Sequence, residues 1–574
     1  MKRIAMGLVI GGLAVFALSR LPIGARVEAQ QPNADAAKLA DQLDQLVAKK
    51  WQVGRVTASP PTTDAEFFRR LYLDVCGVIP PPNEAREFIE SRDPNKRRAA
   101  IDRLLNTPGY AQNMATIWEA RLLGRQLRVQ QVNREVMNSW LLKAFTENLP
   151  YDQFVRELVT ATGTNDQNGA ANYTLRFTNQ GRLMVEDLTS SATRIFLGTQ
   201  IQCAQCHDHK TETWKQSDFH GVAAFFARTR PVATRRPSTT DPRPPVEVRD
   251  LPFGEQQMEL HSGKRETVYP KFFEGLDYKG GEVSRREALA KWMITQPSFG
   301  QATANFAWNL LIGRGITDPF DDLRPTNPPT NPELIVALAQ DFVAHRHDWK
   351  YLLRAVLYSK TYQLSSRTAQ EPNPLHAEYF ASAPLRQLTP EQLFSSLFTA
   401  TGLDENQFLR QRGDLSEMKQ RLMRFFVITF DTDENEETNG FDGTIPQALM
   451  MMNGDLPNRG ATAIPGSALG SIINANQGDR EKLHAIYLRV LGRFATDAEL
   501  GRLEAILAKA GGTRRADASS QFQPTGFGGF GKAGPGKGGP LAGRFQPQPR
   551  DPRSQVFEDV MWALLNSSEF IFNH

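Results

Sequence analysis

The sequence predicts a mainly α protein: two helical domains with a small β-hairpin-containing loop region between them. Three observations carry this. Apolar residues recur at helical spacing along most of the chain. Helix-start signals stand directly ahead of several of those runs. There is also no train of alternating strands and helices, which argues against a doubly wound sheet.

The chain opens with Met1-Lys2-Arg3, followed by an uncharged, apolar run from Ile4 to Ser19 that ends at Arg20. That run is shorter than the ~20 residues of a bilayer span. Val27-Glu28-Ala29 then supplies small residues on either side of Glu28. The pattern predicts a secretory signal peptide over residues 1–29, with an uncleaved membrane anchor as the alternative. In both cases the body is exported, periplasmic or extracellular, and no transmembrane span is expected beyond this segment. Export makes cytoplasmic nucleotides poor ligand candidates and permits oxidised or covalently modified cysteines.

The first helical domain is expected over residues 34–228. Leu39, Leu43, Leu46 and Val47 open it at helical spacing, and Thr63 with Glu66 forms a capping-box signal ahead of Phe67, Phe68, Leu71 and Tyr72. Residues 229–284 read as the loop region. Thr229 to Pro245 is rich in Arg, Pro, Ser and Thr, and reads as a solvated linker. Val246 to Phe273 has short alternating pieces such as Thr267-Val268-Tyr269, the signal for a hairpin. The second helical domain is expected over 285–510. In it Asn331-Pro332-Glu333 and Thr389-Pro390-Glu391 each place a cap and a first-turn Pro before an apolar run, and Gly402 is the expected stop of the second. Residues 511–553, rich in Gly, Pro, Gln and Phe without periodicity, predict a disordered insertion. A C-terminal helix over 554–574 completes the second domain.

The chain also echoes itself. Leu71-Tyr72-Leu73-Asp74-Val75-Cys76-Gly77 resembles Ile486-Tyr487-Leu488-Arg489-Val490-Leu491-Gly492. Leu104-Leu105-Asn106-Thr107 resembles Leu564-Leu565-Asn566-Ser567. This predicts a repeated helical module, with the insertion falling inside the second copy.

Composition excludes several classes. In 574 residues, 67 Lys and Arg against 63 Asp and Glu leave a net charge of +4, too even to indicate a nucleic-acid partner. Three cysteines cannot build a disulfide scaffold. The phosphate-loop-like letters from Gly531 to Lys537 end in Gly538 where Ser or Thr is required, and no strand precedes them, so nucleotide binding is not expected. The oxygens from Asp431 to Asp442 fall near calcium-loop positions, but Glu436 replaces the turn glycine, so a solvated acidic loop is the reading. Met450, Met451 and Met452 read as core filler. No hydrolase motif stands out, so the motifs leave open whether the protein is an enzyme, and no catalytic residue is named.

The sharp motif is Cys203-Ala204-Gln205-Cys206-His207, the C-x-x-C-H pattern of covalent haem attachment. Two thiols at this spacing reach the two vinyl groups of one haem, and the adjacent imidazole ligates the iron. Cys203, Cys206 and His207 are therefore the candidate cofactor residues for haem c. Met184, His220, Met258 and His261 are candidates for a sixth iron ligand. A second ligand set competes: Cys203, Cys206, His209 and His220, a C-x2-C-x2-H-x10-H pattern for tetrahedral zinc, with His207 able to replace His209. A redox dithiol and a structural disulfide are the remaining readings. Cys76, among apolar residues, reads as a buried free thiol.

Phe68-Arg69-Arg70-Leu71-Tyr72-Leu73-Asp74 with Gly77 and Pro80, Ile101 to Leu105, Pro150 to Val155 and Phe196-Leu197-Gly198 leading to Cys203–His209 together resemble the planctomycete cytochrome-c-like domain of unknown function. Arg286 to Ala290, Asn305 to Trp308, Gly313-Arg314-Gly315, Asn331 to Leu334, Ser359 to Tyr362 and Ile445 to Leu449 resemble the planctomycete-specific domain that follows it. The resemblance implies a secreted bacterial protein. It places Cys206 to His209 in the family pattern, His220 at a more often aromatic position, and Cys76 where a hydroxyl residue is usual. The expectation is a single-haem c-type electron-transfer protein with a redox partner protein. The alternatives are a helical interaction protein with a structural zinc or disulfide, and a polysaccharide-processing hydrolase.

Overall fold

The computed structural model describes residues 23–125, 129–236, 238, 244–260, 262–273, 278, 280, 284–368, 373–403, 450–452, 454–464, 467–512 and 551–574, with 23–32, 455, 511 and 512 described as backbone only. Most of the expected leader, the acidic run from Asp431 to Asp442, His261 and most of the expected insertion lie outside these residues.

The protein is mainly α, with 22 helices among the described residues and only small sheets. No helix among them is long and apolar enough to cross a membrane. The first half carries α1 (Ile23–Gly54), α2 (Asp64–Cys76), α3 (Pro82–Glu90), α4 (Lys96–Leu104), α5 (Pro108–Leu123), α6 (Arg134–Thr146), α7 (Tyr151–Thr160), α8 (Ala171–Leu175), α9 (Val185–Leu197) and α10 (Gln216–Ala223). The short strands β1 (Gly163–Thr164), β2 (Thr178–Asn179) and β3 (Arg182–Leu183) lie among them, and β4 (Thr229–Ala233), β5 (Val246–Asp250), β6 (Gln256–Glu259) and β7 (Arg265–Val268) follow. Then come α11 (Arg285–Thr295), α12 (Pro297–Ile312), α13 (Pro332–Ala344), α14 (Trp349–Tyr358), α15 (Pro374–Glu378), β8 (Arg386–Gln387) and α16 (Pro390–Thr401). The last part holds α17 (Asp455–Gly460), α18 (Ala468–Ile473), α19 (Asp479–Leu491), α20 (Asp497–Gly512), α21 (Pro552–Leu565), α22 (Ser568–Ile571) and β9 (Phe572–Asn573).

The start signals act as the sequence predicts, with one exception. Asn331 caps α13 by accepting from the Leu334 N–H. Thr389 and Gln392 exchange both bonds of a capping box on α16, and Gly402 ends that helix at φ 64°. Thr63 caps α2 by accepting from the Glu66 N–H. The reciprocal bond from Glu66 is missing, because its carboxylate accepts from Ser365 at 3.0 Å and pairs with the buried Arg70 at 3.2 Å. A buried cation outbids a helix-end N–H for a carboxylate.

The expected linker needs correction. Thr229 to Ala233 is not a loop: it is β4, and it pairs antiparallel with β5, which pairs in turn with β1. Thr229 and Val248 are fully buried. Arg286 holds the sheet down, its Nε donating to Asp250 at 3.0 Å and its Nη1 to the Ala161 carbonyl at 2.7 Å. The expected hairpin is β6 with β7, from the pair Gln256–Val268 to the pair Glu259–Arg265.

The larger hydrophobic core draws on α1 to α14, and so on both expected domains; the smaller gathers α16 to α22. The sequence echo is a reciprocal packing of its two copies. α2 and α19 end alike, at Gly77 (φ 69°) and Gly492 (φ 70°). Leu73 and Ile79 of the first copy are buried in the smaller core, whereas Leu488 is buried in the larger core and Phe494 packs against it. The second halves repeat their hydrogen bonds: Thr107 donates to the Leu104 carbonyl and Ser567 to the Leu564 carbonyl, each at 2.7 Å. Asn106 and Asn566 likewise each donate to a carbonyl four residues earlier, at 2.8 Å.

Charged side chains of α2 fasten the seam between the cores. Arg69 donates to the carbonyls of Val490 and Phe570 at 3.1 and 2.9 Å. Arg70 donates to those of Tyr362 and Leu364 at 2.7 and 2.8 Å. Asp74 accepts from Tyr362 at 2.9 Å, Arg386 at 2.9 Å and Asn573 at 2.8 Å. Asp74→Ala removes the acceptor of Tyr362 and Asn573 and leaves the Arg386 cation without its carboxylate, held by the carbonyls of Leu310 and Leu311. A loss on the order of 3–5 kcal/mol is expected from urea unfolding midpoints. Lys38→Ala, which breaks an exposed pair with Asp35, is expected to move the midpoint little.

Candidate functional site

After α9, Gly198 at φ 61° turns the chain, and Gln202–Gln205 forms a single 3-10 turn with Cys206 as its C-cap. Ile201 and Ala204 are buried and pin the turn to the body. Side chains three apart eclipse in a 3-10 turn, so Cys203 and Cys206 stand on one side of it. Both are exposed and free. His207 is exposed beside them.

The ring partners of the three nearby histidines assign their protons. His207 Nδ1 lies 2.7 Å from the Asp208 carbonyl, which can only accept, so Nδ1 carries the proton and Nε2 keeps its lone pair. His209 Nδ1 accepts from the backbone N–H groups of Glu212 at 3.0 Å and Thr211 at 3.3 Å, so its lone pair is spent on the loop and the neutral ring carries its proton on Nε2. His220 is buried, with Nε2 3.0 Å from the Gln205 carbonyl and Nδ1 3.1 Å from Gln256 Nε2. It therefore donates through Nε2 and accepts through Nδ1. Of the three rings, only His207 offers a nitrogen lone pair with no protein donor on it.

The zinc set of Cys203, Cys206, His209 and His220 is not brought together. Among the described residues no group of three or more His, Cys, Asp or Glu side chains is placed to hold a metal ion. The haem set of Cys203, Cys206 and His207 is contiguous, with free thiols and a free imidazole nitrogen, and its donor chemistry fits that cofactor. Of the residues named for a sixth ligand, Met258 is buried in β6, Met184 is 37% exposed at the N-cap of α9, and His220 has both nitrogens engaged.

Asp208 and His209 organise the loop that follows. Asp208 accepts from the Gln216 N–H at 2.9 Å where α10 begins, and the His209 N–H donates to the Trp214 carbonyl at 2.8 Å. Trp214 packs on Phe273 with ring centroids 4.7 Å apart. These anchoring roles are not legible in the sequence, where Asp208-His209 shows only as two adjacent polar residues directly after the motif.

Cys76 lies elsewhere, half-buried at a cleft of about 220 Å3 between α2, α5 and α16. Burial pushes its thiol up to about 11, which suits the free, inert thiol the sequence predicts. The charged groups of that cleft are paired with each other, Arg386 with Asp74 and Arg125 with Glu391.

Residues 42–231, which include Cys203 to His207, match the family model PSCyt2, described as a protein of unknown function (DUF1549). Residues 285–507 match PSD1, likewise described as a protein of unknown function (DUF1553). No curated protein and no solved structure matches the chain.

Burial holds the His220 imidazole below its ordinary value of 6.5, and does the same for His347, His484 and His574. In the unfolded chain these rings take up protons as pH falls through about 6.5, before the folded protein does. Their contribution to stability is complete above that pH and is lost as pH falls toward the lower folded values. The unfolding midpoint is expected to fall between pH 7 and pH 5, above the carboxylate range, and to fall less in His220→Gln. A pH series of urea unfolding curves reads both.

Proposed function

We propose that this chain, which belongs to the proteins that join a PSCyt2 domain to a PSD1 domain, is an exported single-haem c-type protein that transfers electrons to or from a partner protein. The observation that carries the reading is the free Nε2 of His207 beside two free thiols on one side of a single turn. Cys203 and Cys206 would hold the porphyrin edge through thioether bonds, and His207 the iron. The bound haem would supply one-electron chemistry. The Asp208 carbonyl accepts from His207 Nδ1, which leaves Nε2 as the ring nitrogen that would ligate the iron. Ile201 and Ala204 keep the turn seated while its outer side stays open to a partner.

We favour electron transfer over catalysis because the sharp motif carries haem-attachment chemistry while no hydrolase motif stands out in the sequence. The donor inventory supports haem over the zinc set, since two of that set's four ligands already use the nitrogens it needs.

Expression with c-type maturation is expected to give a band on a denaturing gel that stains for haem peroxidase activity. Cys203→Ser and Cys206→Ser should each weaken or abolish the stain, and His207→Ala should shift the Soret band. Wild type without stain, carrying one equivalent of zinc, would replace the haem reading with the structural-metal one.

A further inference from the structure

The Gln205 carbonyl lies between the two cysteines, at the end of a short turn where carbonyls lack partners within the helix. It accepts from His220 Nε2 at 3.0 Å and from Gln216 Nε2 at 3.2 Å. Behind His220, Gln256 Nε2 stands 3.1 Å from His220 Nδ1 and 2.7 Å from Glu186 Oε1. Its two amide hydrogens serve these two acceptors at the shorter distances, with the Gln257 carbonyl a longer 3.4 Å from the same nitrogen. The chain of bonds therefore has one direction: the Glu186 carboxylate orients the Gln256 amide, the amide fixes the His220 tautomer, and His220 donates to Gln205.

The burial is lopsided. His220 and Gln256 are 5% and 6% exposed, while Cys203, Cys206 and His207 at the far end are in solvent. α9, α10 and β6 each give one side chain to this chain of bonds, and it ends on a carbonyl of a surface turn. Buried donors and acceptors are costly to leave unmade, so such a chain holds its end point in place.

We propose that Glu186, Gln256 and His220 are positioning residues for the motif, fixing the Gln205 carbonyl and thereby the side-by-side presentation of Cys203 and Cys206. The proposal rests on the motif being the working site, and it applies to the thiols before any cofactor is attached. His220 acts here by its donor and acceptor pattern, not as a metal ligand. A glutamine at this position supplies the same pattern from one planar amide, whereas phenylalanine supplies the shape alone.

Three full-length variants test it: His220→Phe, His220→Gln and Gln256→Met. Amide hydrogen exchange over residues 202–207 is read by mass spectrometry in protein without cofactor, and covalent haem yield is read after maturation. His220→Phe and Gln256→Met are expected to speed exchange in that segment by up to about tenfold, the weight of one net hydrogen bond. Both should also lower haem yield, and His220→Gln should restore both readouts to within twofold of wild type. If His220→Phe does not fold, Gln256→Met and His220→Gln carry the comparison. Exchange unchanged in Gln256→Met, or raised equally in His220→Gln and His220→Phe, overturns the proposal. Exchange that responds as expected in a protein that never attaches haem keeps the relay and removes the haem reading. Normal haem attachment in every variant with unaltered exchange does the reverse.

Discussion

Arg69, Arg70 and Asp74 stand on one helix, almost wholly withdrawn from water, and their partners come from residues several hundred positions later in the chain. Burying a guanidinium costs several kcal/mol unless its donors are matched. Here the partners of both arginines are mostly backbone carbonyls, of Val490, Glu569 and Phe570 for Arg69, and of Tyr362, Leu364 and His574 for Arg70. Carbonyls of irregular segments need donors wherever water is excluded. The arginines supply them, and the C-terminal segment is thereby locked against a helix near the start of the fold. Burial lowers the Arg69 guanidinium to about 10, still well above neutral pH, so the cation persists inside.

That seam explains why the two copies of the echoed module cannot be read as separate bodies. Leu73 is buried in the smaller core and Leu488 in the larger, so each copy completes the other's interior. Removing either copy would leave both an exposed apolar face and a set of unmatched buried donors. The reciprocal arrangement also bears on the site. α9, which leads into the cysteine turn, packs on α12, and α12 belongs to the same core as α2. The motif is thus displayed from a packed core, although its own cysteines and His207 are exposed.

The sequence made the helical elements legible where the signal was local. Asn331, Thr389 and Gly402 act on their own helix ends, and nothing distant competes for them. Thr63 with Glu66 was legible only by half, because the second partner, Arg70, is buried by contacts far along the chain. The strand Thr229–Ala233 was hidden for the same reason: Arg and Pro mark a linker by composition, and only pairing with Val246–Asp250 gives the segment its shape. At the site, the exposed C-x-x-C-H was visible as letters. The roles of His209 and His220 were not, because spacing counts ligand types but carries no record of which ring nitrogens are already bonded.

That last distinction separates the two ligand chemistries in physical terms. A structural zinc contributes folding energy by drawing together segments that lack other ties, with every ligand turned inward on one point. Around Cys203 the ties already exist: His220 and Gln216 hold the turn, Asp208 holds the start of α10, and His209 holds its own loop. Zinc held by Cys203, Cys206, His209 and His220 would have to free the His209 and His220 nitrogens from their bonds before it made its own. A covalently attached cofactor makes no such demand. It needs two thiols presented together and one imidazole nitrogen left free, and the surrounding hydrogen bonds leave those three atoms unclaimed.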